Sequence, residues 1–263
     1  MEASPTRNVL GYVALNTCTV LWGTQHAVMK GLVASTTLPS LINAIRFSTA
    51  AFVTPAARTL ILCCCHESKP VVKGSARGHC GLLIGAAELG FWQTSGFTLQ
   101  LIGLRWTSAS RSAFLLYLNA TFVPIIATIL GERGIGIRTW ACVIVAVVGT
   151  LMLVHDGGEP NVGDLWSLGA ALASAMFIVR LSRASRGRNA VHLSAATLMF
   201  SSLGCWALAF ASANSAGLSL EVEVLAVVEA HVWSLIYLSV VVSACASFLR
   251  ALARYRPAGP TPS

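Results

Sequence analysis

The sequence predicts an all-α polytopic membrane protein with about eight transmembrane helices, and three observations carry that prediction. Only 11% of the 263 residues are charged and 55% are hydrophobic, with a mean hydropathy of +0.71, where a soluble domain carries about 25% charged residues. Charge is absent from long apolar blocks and gathered in the short gaps between them. The gaps also differ in sign from one to the next. Arg7, then Lys69, Lys73 and Arg77, then Arg133 and Arg138, then Arg183, Arg186 and Arg188, then Arg254 and Arg256 fall on one side of the membrane. Lys30, Arg105, Asp156, Glu159, Asp164, Glu221, Glu223 and Glu229 fall on the other. The positive-inside bias places the basic side, with both termini, in the cytoplasm or stroma. One missed or spurious span would scramble every later loop, so the charge pattern supports the span count independently of hydropathy.

The expected spans lie near 9–32, 38–62, 79–102, 105–130, 137–155, 163–182, 192–213 and 230–253. The first is longer than a signal-peptide core and carries no small-residue cleavage site, so it is read as a retained helix. The preceding MEASPTRNVL is too short and too acidic for a transit peptide. Trp22, Gln25 and His26 lie in this first span; a Trp beside an amide either lines an amphipathic site or packs in the core. His26 reads as a satisfied interior histidine. The second span carries Arg46 and ends at Cys63, Cys64 and Cys65, where juxtamembrane thiols are either palmitoylated or plain lipid-facing packing. The third holds Glu88, Trp92 and Gln93, with Gly81 and Gly85 at the GxxxG spacing that permits close helix contact.

The fourth span, within LRWTSASRSAFLLYLNATFVPIIATILGER, is loaded with Arg111, Tyr117, Asn119 and Pro124. A helix that only anchored a chain in lipid has no use for an arginine and an amide, which in hydrocarbon turn toward other helices or a wet cavity. Pro124 interrupts the hydrogen-bond ladder and is expected to kink this span. Asn119 is expected to bond a neighbouring helix. Glu88 and Arg111 could meet if the third and fourth spans pack as an antiparallel hairpin. They would then form either a structural ion pair or a proton- or substrate-linked carboxylate. Arg46 and Arg111 lie at similar depth from the acidic side. Their planar forks could clamp a carboxylate or phosphate together, or bond helix-end carbonyls and lipid headgroups separately.

Other chemistries find no motif. A GxxxxGK[ST] nucleotide loop, GxSxG, HExxH and an intramembrane Asp pair are all missing, so no enzyme, ATP-driven pump or cofactor is expected. The eight cysteines show no CxxC or Cys/His ligand spacing, and no metal is expected. The net charge of +8 belongs to the loops and is no nucleic-acid footprint. A weak internal repeat sets LWGTQHAVMK over LASAMFIVR, with Lys30 against Arg180, and GLRWTSA over LARYRPA. Five spans separate the copies, and an odd number inverts the second in the bilayer, an architecture common in secondary transporters.

LWGTQHAVMK, IRFSTAAFVTP, the fourth-span block and AVVGTLML together resemble the first repeat of EamA-type carriers of the drug/metabolite transporter superfamily, and GDLWSLGAALASAMFIV resembles the opening of their second. The resemblance implies ten helices in two inverted five-helix halves around a central cavity. It maps family positions onto Trp22, Lys30, Arg46, Glu88, Thr107, Ser108, Ala109, Pro124 and Glu132, most of them fold positions. The family continues past its eighth helix, whereas LARYRPAGPTPS closes this sequence. The expectation is therefore an incomplete inverted five-plus-five helix repeat: residues 1–155 the first repeat, 156–263 a three-helix part of the second. The expected activity is secondary transport of a small organic metabolite, anionic or amphipathic, by alternating access; the alternative is a truncated, non-transporting membrane protein or interaction subunit. The substrate-binding candidates are Trp22, Gln25, Arg46, Glu88, Trp92, Arg111, Tyr117 and Asn119. Expected partners are the lipid bilayer and the metabolite, with a homodimer left open and no nucleic acid. A plasma membrane and a plastid envelope both fit.

Overall fold

A computed structural model describes residues 5–65, 76–131, 136–155, 161–185 and 190–245. Glu132 and Arg133, the loop charges Lys69, Lys73, Asp156, Glu159, Arg186 and Arg188, and the tail from 246 onward lie outside the described residues, as do the side chains of Arg7, Cys63, Cys64, Cys65, Arg77 and Arg138. The regular elements among the described residues are all helices, with no strand. In order they are α1 (Pro5–Ser35), α2 (Ser40–Cys65), α3 (Ala76–Trp106), α4 (Ala109–Tyr117), α5 (Asn119–Ile129), α6 (Ile137–His155), α7 (Val162–Ala184), α8 (Ala190–Ala216), α9 (Leu220–Ile236) and a π-helical segment, Tyr237–Cys245. Each of the eight expected spans has its helix.

Among the described residues, four stretches are long and apolar enough to cross a bilayer by length and composition: Ala109–Ile129, Val162–Ala184, His192–Ala216 and Leu220–Cys245. Ser40–Val53 of α2 and Thr139–Thr150 of α6 are the apolar parts of those helices that fall among the residues described with their side chains. The helices α1 and α3 fall short of that apolarity because they carry Gln25, His26 and Lys30, and Glu88, Gln93 and Gln100; all six are buried or half-buried. Large apolar side chains instead cover the outside, including Phe52, Phe91, Ile137 and Trp233. That is the inverse of a water-soluble bundle and the surface a lipid solvent favours.

Two spans are not straight: the fourth, where Pro124 was expected to kink it, and the eighth. The fourth is broken at Leu118, where bonding tightens: Leu118 N donates to Leu115 O and Thr121 N to Leu118 O, each a three-residue step. Pro124, inside α5, has no N–H to give Ala120 and its ring crowds that carbonyl, so the distortion falls just upstream of the proline. The eighth begins ten residues earlier than expected and bends at His231 (φ −133°, ψ 25°). Ser35, at the end of α1, bonds His231 Nε2 at 3.0 Å, so the expected start near 230 marks where the segment turns into the bundle beside α1. Before it, Gly217 (φ +67°) ends α8 with Leu218 N donating to Ala213 O, a left-handed cap only glycine takes easily.

Packing is organised by small residues. The helix α3 lies along α7, where Gly103 faces Gly163 and Ser167, and Gly96 faces Ala170, Ala173 and Ser174. On its other side α3 meets α8, where Gly90 lies against Phe200 and Gly204 against Thr94. Without hydrophobic drive between helices in lipid, such small-residue contact is what lets backbones approach. The expected pair Gly81 and Gly85 is half-buried, and the tight contacts fall further along the same helix. The helix α2 packs on α8 and on the π-helical segment, and α1 on α3, α4 and that segment. Ser48 joins α2 to α8, sharing 2.7 Å with Ser202 and accepting from Trp206 Nε1 at 2.8 Å.

Candidate functional site

The most unusual group is Arg46, 1% exposed on α2 between α1, α3 and the π-helical segment. Its Nη2 donates to Gln25 Oε1 at 2.8 Å, its Nε to Ser243 Oγ, and its Nη1 to the Met29 sulfur at 3.5 Å. The guanidinium carbon lies 5.2 Å from the Phe47 ring centre and 4.7 Å from that of Phe97. The rings meet edge to face, 5.0 Å apart. Every one of these partners is neutral. A full positive charge is therefore held in an apolar interior without a carboxylate among the described residues.

Local structure explains how these groups converge. Gln25 and Met29 are one turn apart on α1, and Phe97 and Gln100 are three apart on α3, the spacing that shares a helix face. Gln100 Nε2 meets His26 Nδ1 at 3.2 Å, making His26 the satisfied interior histidine expected. Ser243 accepts from Arg46 and donates to Leu238 O at 2.8 Å, five residues back in the π-helical segment. π-helical turns occur frequently at functional sites.

Arg111 and Glu88 do not meet, which corrects the hairpin expectation. Arg111 pairs with Asp164 of α7 at 2.9 Å, both side chains nearly buried. Asp164 also accepts from Thr107 Oγ1 and from Asn161 N, each at 3.0 Å, the latter within the capping box that starts α7. Ser167 donates to Ser112 at 3.1 Å beneath this pair. Glu88 pairs instead with Arg180 near the opposite end of α7, at 3.1 Å and 31–41% exposed. The cause is packing: α3 lies along α7, so the cations that α3 and α4 face come from, or are answered by, the sixth span. The shared clamp of Arg46 and Arg111 is likewise not formed, because each guanidinium has its own partners. Asp164→Asn should lower thermal stability by about 3–5 kcal/mol, since one member of a buried pair is then uncompensated. Glu88→Gln should change it by less than Asp164→Asn does, because this pair is the less enclosed by protein of the two. Melting curves of the purified variants check both.

The remaining candidates are dispersed. Trp22 is half-buried against the main core, one turn from Gln25. Trp92 is half-buried and touches Phe91 edge-on at 5.3 Å. Tyr117 is 42% exposed, and no side-chain hydrogen bond of Asn119 is present among the described residues. Lys30 donates to Leu104 O and, at 2.8 Å, to Thr107 O, closing the C-terminal end of α3, where a cation suits the exposed carbonyls. Arg183 does the same for Leu130 O at 3.0 Å.

Sequence reading missed Phe97, Gln100, Ser243 and Asp164 as site groups, and also a second polar set. Asn43, 1% exposed, has neither amide atom bonded, and Ser239 Oγ, Ser40 Oγ and Thr36 Oγ1 are buried without a partner. Each such group costs about 1–3 kcal/mol if left so. The signal was present in LINAIRF, where Asn43 and Arg46 stand three apart in an apolar helix. Among known families, the model of the EamA-like transporter family matches residues 9–155, more than half of the chain. No curated protein and no solved structure matches it.

Proposed function

The chain belongs to the EamA-like transporter family, and from that premise we propose that it is a secondary transporter moving a small organic anion by alternating access. Arg46 carries the proposal. Its buried charge is offset in part by the two aromatic faces and the neutral acceptors Gln25 and Ser243. Cation–π contacts contribute up to about 2 kcal/mol when desolvated, while a lone buried ion costs several. The Nη1 corner rests on a thioether, the weakest acceptor present. An arriving carboxylate or phosphate replaces that contact with a charge-assisted bond and completes the site. Phe47 and Phe97 supply the apolar wall an organic anion needs.

Three helix contacts are in keeping with an exchange of the two halves, while the α1–α3 contact has no counterpart of like size between α7 and the eighth span. Exchanging α1 with α7, α2 with α8 and α3 with the eighth span turns the α3–α7 contact into that of the eighth span with α1, and α3–α8 into that of the eighth span with α2. The α2–α8 contact maps onto itself. The family match over 9–155 covers the first five spans, in keeping with a first repeat ending near 155. Apolar helices and family membership together indicate an integral multi-pass membrane protein; the loop charges favour cytoplasmic or stromal termini. The two ion pairs of α7 fit alternating access. Asp164 and Arg180 are sixteen residues apart, about 24 Å along the helix, and tie α7 to α4 at one end and α3 at the other. Opening to either side breaks the pair on that side and keeps the other.

Thermal stabilisation of the detergent-purified chain tests the charge preference. Small carboxylates and organic phosphates should raise the melting temperature, by the equivalent of about 2.7 kcal/mol at a hundred times Kd, where neutral and cationic solutes of the same size do not. Equal stabilisation by all three classes would count against an anion carrier.

A further inference from the structure

Four of the unpartnered polar side chains are not scattered. The segments α2 and Tyr237–Cys245 pack together, and the bond from Arg46 to Ser243 fixes their register. Both run inward from the end marked by Ser35 and His231. Asn43 lies three residues before Arg46 on α2, and Ser239 four before Ser243 on its partner; both spacings keep a helix face, and both lead toward the same end of the bundle. Ser40 and Thr36 continue the line to that end. Every one of them has a buried polar atom without a partner, and Asn43 has two, a donor and an acceptor. The line ends on Arg46, the one buried guanidinium among the described residues whose partners are all neutral.

We infer that this seam is a binding subsite adjoining Arg46, and that it takes the hydroxyl, amino or amide groups of the transported anion. The inference rests on the anion-carrier reading and narrows it to polar organic acids, hydroxy or amino acids in preference to hydrocarbon acids of the same charge. The substrate's charge sits on Arg46, and its second polar group meets the Asn43 amide and the Ser239 hydroxyl. A site built to hydrogen-bond such a group discriminates strongly against the analogue lacking it, because its own buried groups are then left unpaired. Thr36 and Ser40 are the steps by which a solute sheds its water on the way in.

Thiol labelling in proteoliposomes tests this without knowing the substrate. Asn43→Cys, Ser239→Cys and Ile42→Cys are each compared with the unchanged chain, whose eight cysteines set the background. A charged methanethiosulfonate reagent should modify the first two at least about tenfold faster than Ile42→Cys, because reactive thiolate forms only where water reaches it. Labelling of Ser239→Cys should be slowed by lactate and malate, and less by propionate and succinate. Seam positions that label no faster than Ile42→Cys would overturn the inference, as would equal protection, or none, by the two members of each pair. The anion reading fails separately: if Arg46→Gln leaves the protection intact, the seam stands and the charge recognition does not.

Discussion

Arg46→Gln is expected to leave the protein as stable as before, or more so, while abolishing its response to anions. The direction follows from the neutral surroundings of the guanidinium. Its partners Gln25 and Ser243 can bond a glutamine amide as well as a cation, and Phe47 and Phe97 accept an uncharged group without penalty. Replacing a buried charge by a neutral side chain of similar size is often neutral or stabilising. Binding moves the other way. Removing one member of a desolvated, hydrogen-bonded charge pair costs about 2–5 kcal/mol, so anion affinity should fall by about thirtyfold or more. Melting curves with and without ligand read both quantities on one sample. A buried arginine kept for structure alone would show the opposite: a falling melting temperature and no ligand-specific loss.

The second large effect concerns the fold. Gly163→Leu should prevent accumulation of folded protein, and Gly163→Ala should already be harmful. A Cβ at Gly163 would lie 2.8 Å from Gly103 O, 2.8 Å from Trp106 Cβ and 2.9 Å from Thr107 N. Two of those are backbone atoms at the end of α3 and cannot rotate aside. Overpacking of a close-packed contact costs about 1–3 kcal/mol and more when backbone must shift. The displacement would also part Asp164 from Thr107 and Arg111, so the buried ion pair is strained with it. Gly149→Leu on α6 is the control, because nothing lies within 4 Å of its Cβ position and the site is exposed. Fluorescence size-exclusion yield and thermal melting should separate the two glycines clearly.

The helices were legible because their signals are local and redundant. Apolar length marks a span, and alternate loop charge marks the gap, so each of the eight expected spans has a helix. The polar residues inside them were equally visible, and Gln25 and Arg46 both stood among the candidates, but the sequence did not pair them with each other. Partners across the bundle were not legible. Arg111 was matched with Glu88 from chain order, whereas the contact surface of α3 belongs to α7. That preference is written in the small residues Gly163, Ser167, Ala170 and Ser174, a pattern in GDLWSLGAALASA that says a backbone comes close but not which one. Asp164 was taken for a loop charge because it stands in the first turn of α7, where it completes the capping box begun by Asn161. Asn43 and Ser239 drew no notice because a lone amide or hydroxyl in a span is ordinary; what singles them out is the missing partner, and only packing reveals that.

Solute counterflow tests the central claim most directly. The purified chain is reconstituted into liposomes loaded with one small organic anion at a time, and uptake of the same labelled anion from outside is followed. The account predicts saturable uptake for at least one hydroxy- or amino-substituted acid, competed by unlabelled anion, unaffected by ATP, and lost in Arg46→Gln reconstituted at equal density. Folded, correctly inserted protein that exchanges no anion, or exchanges it equally well with Arg46→Gln, would contradict it.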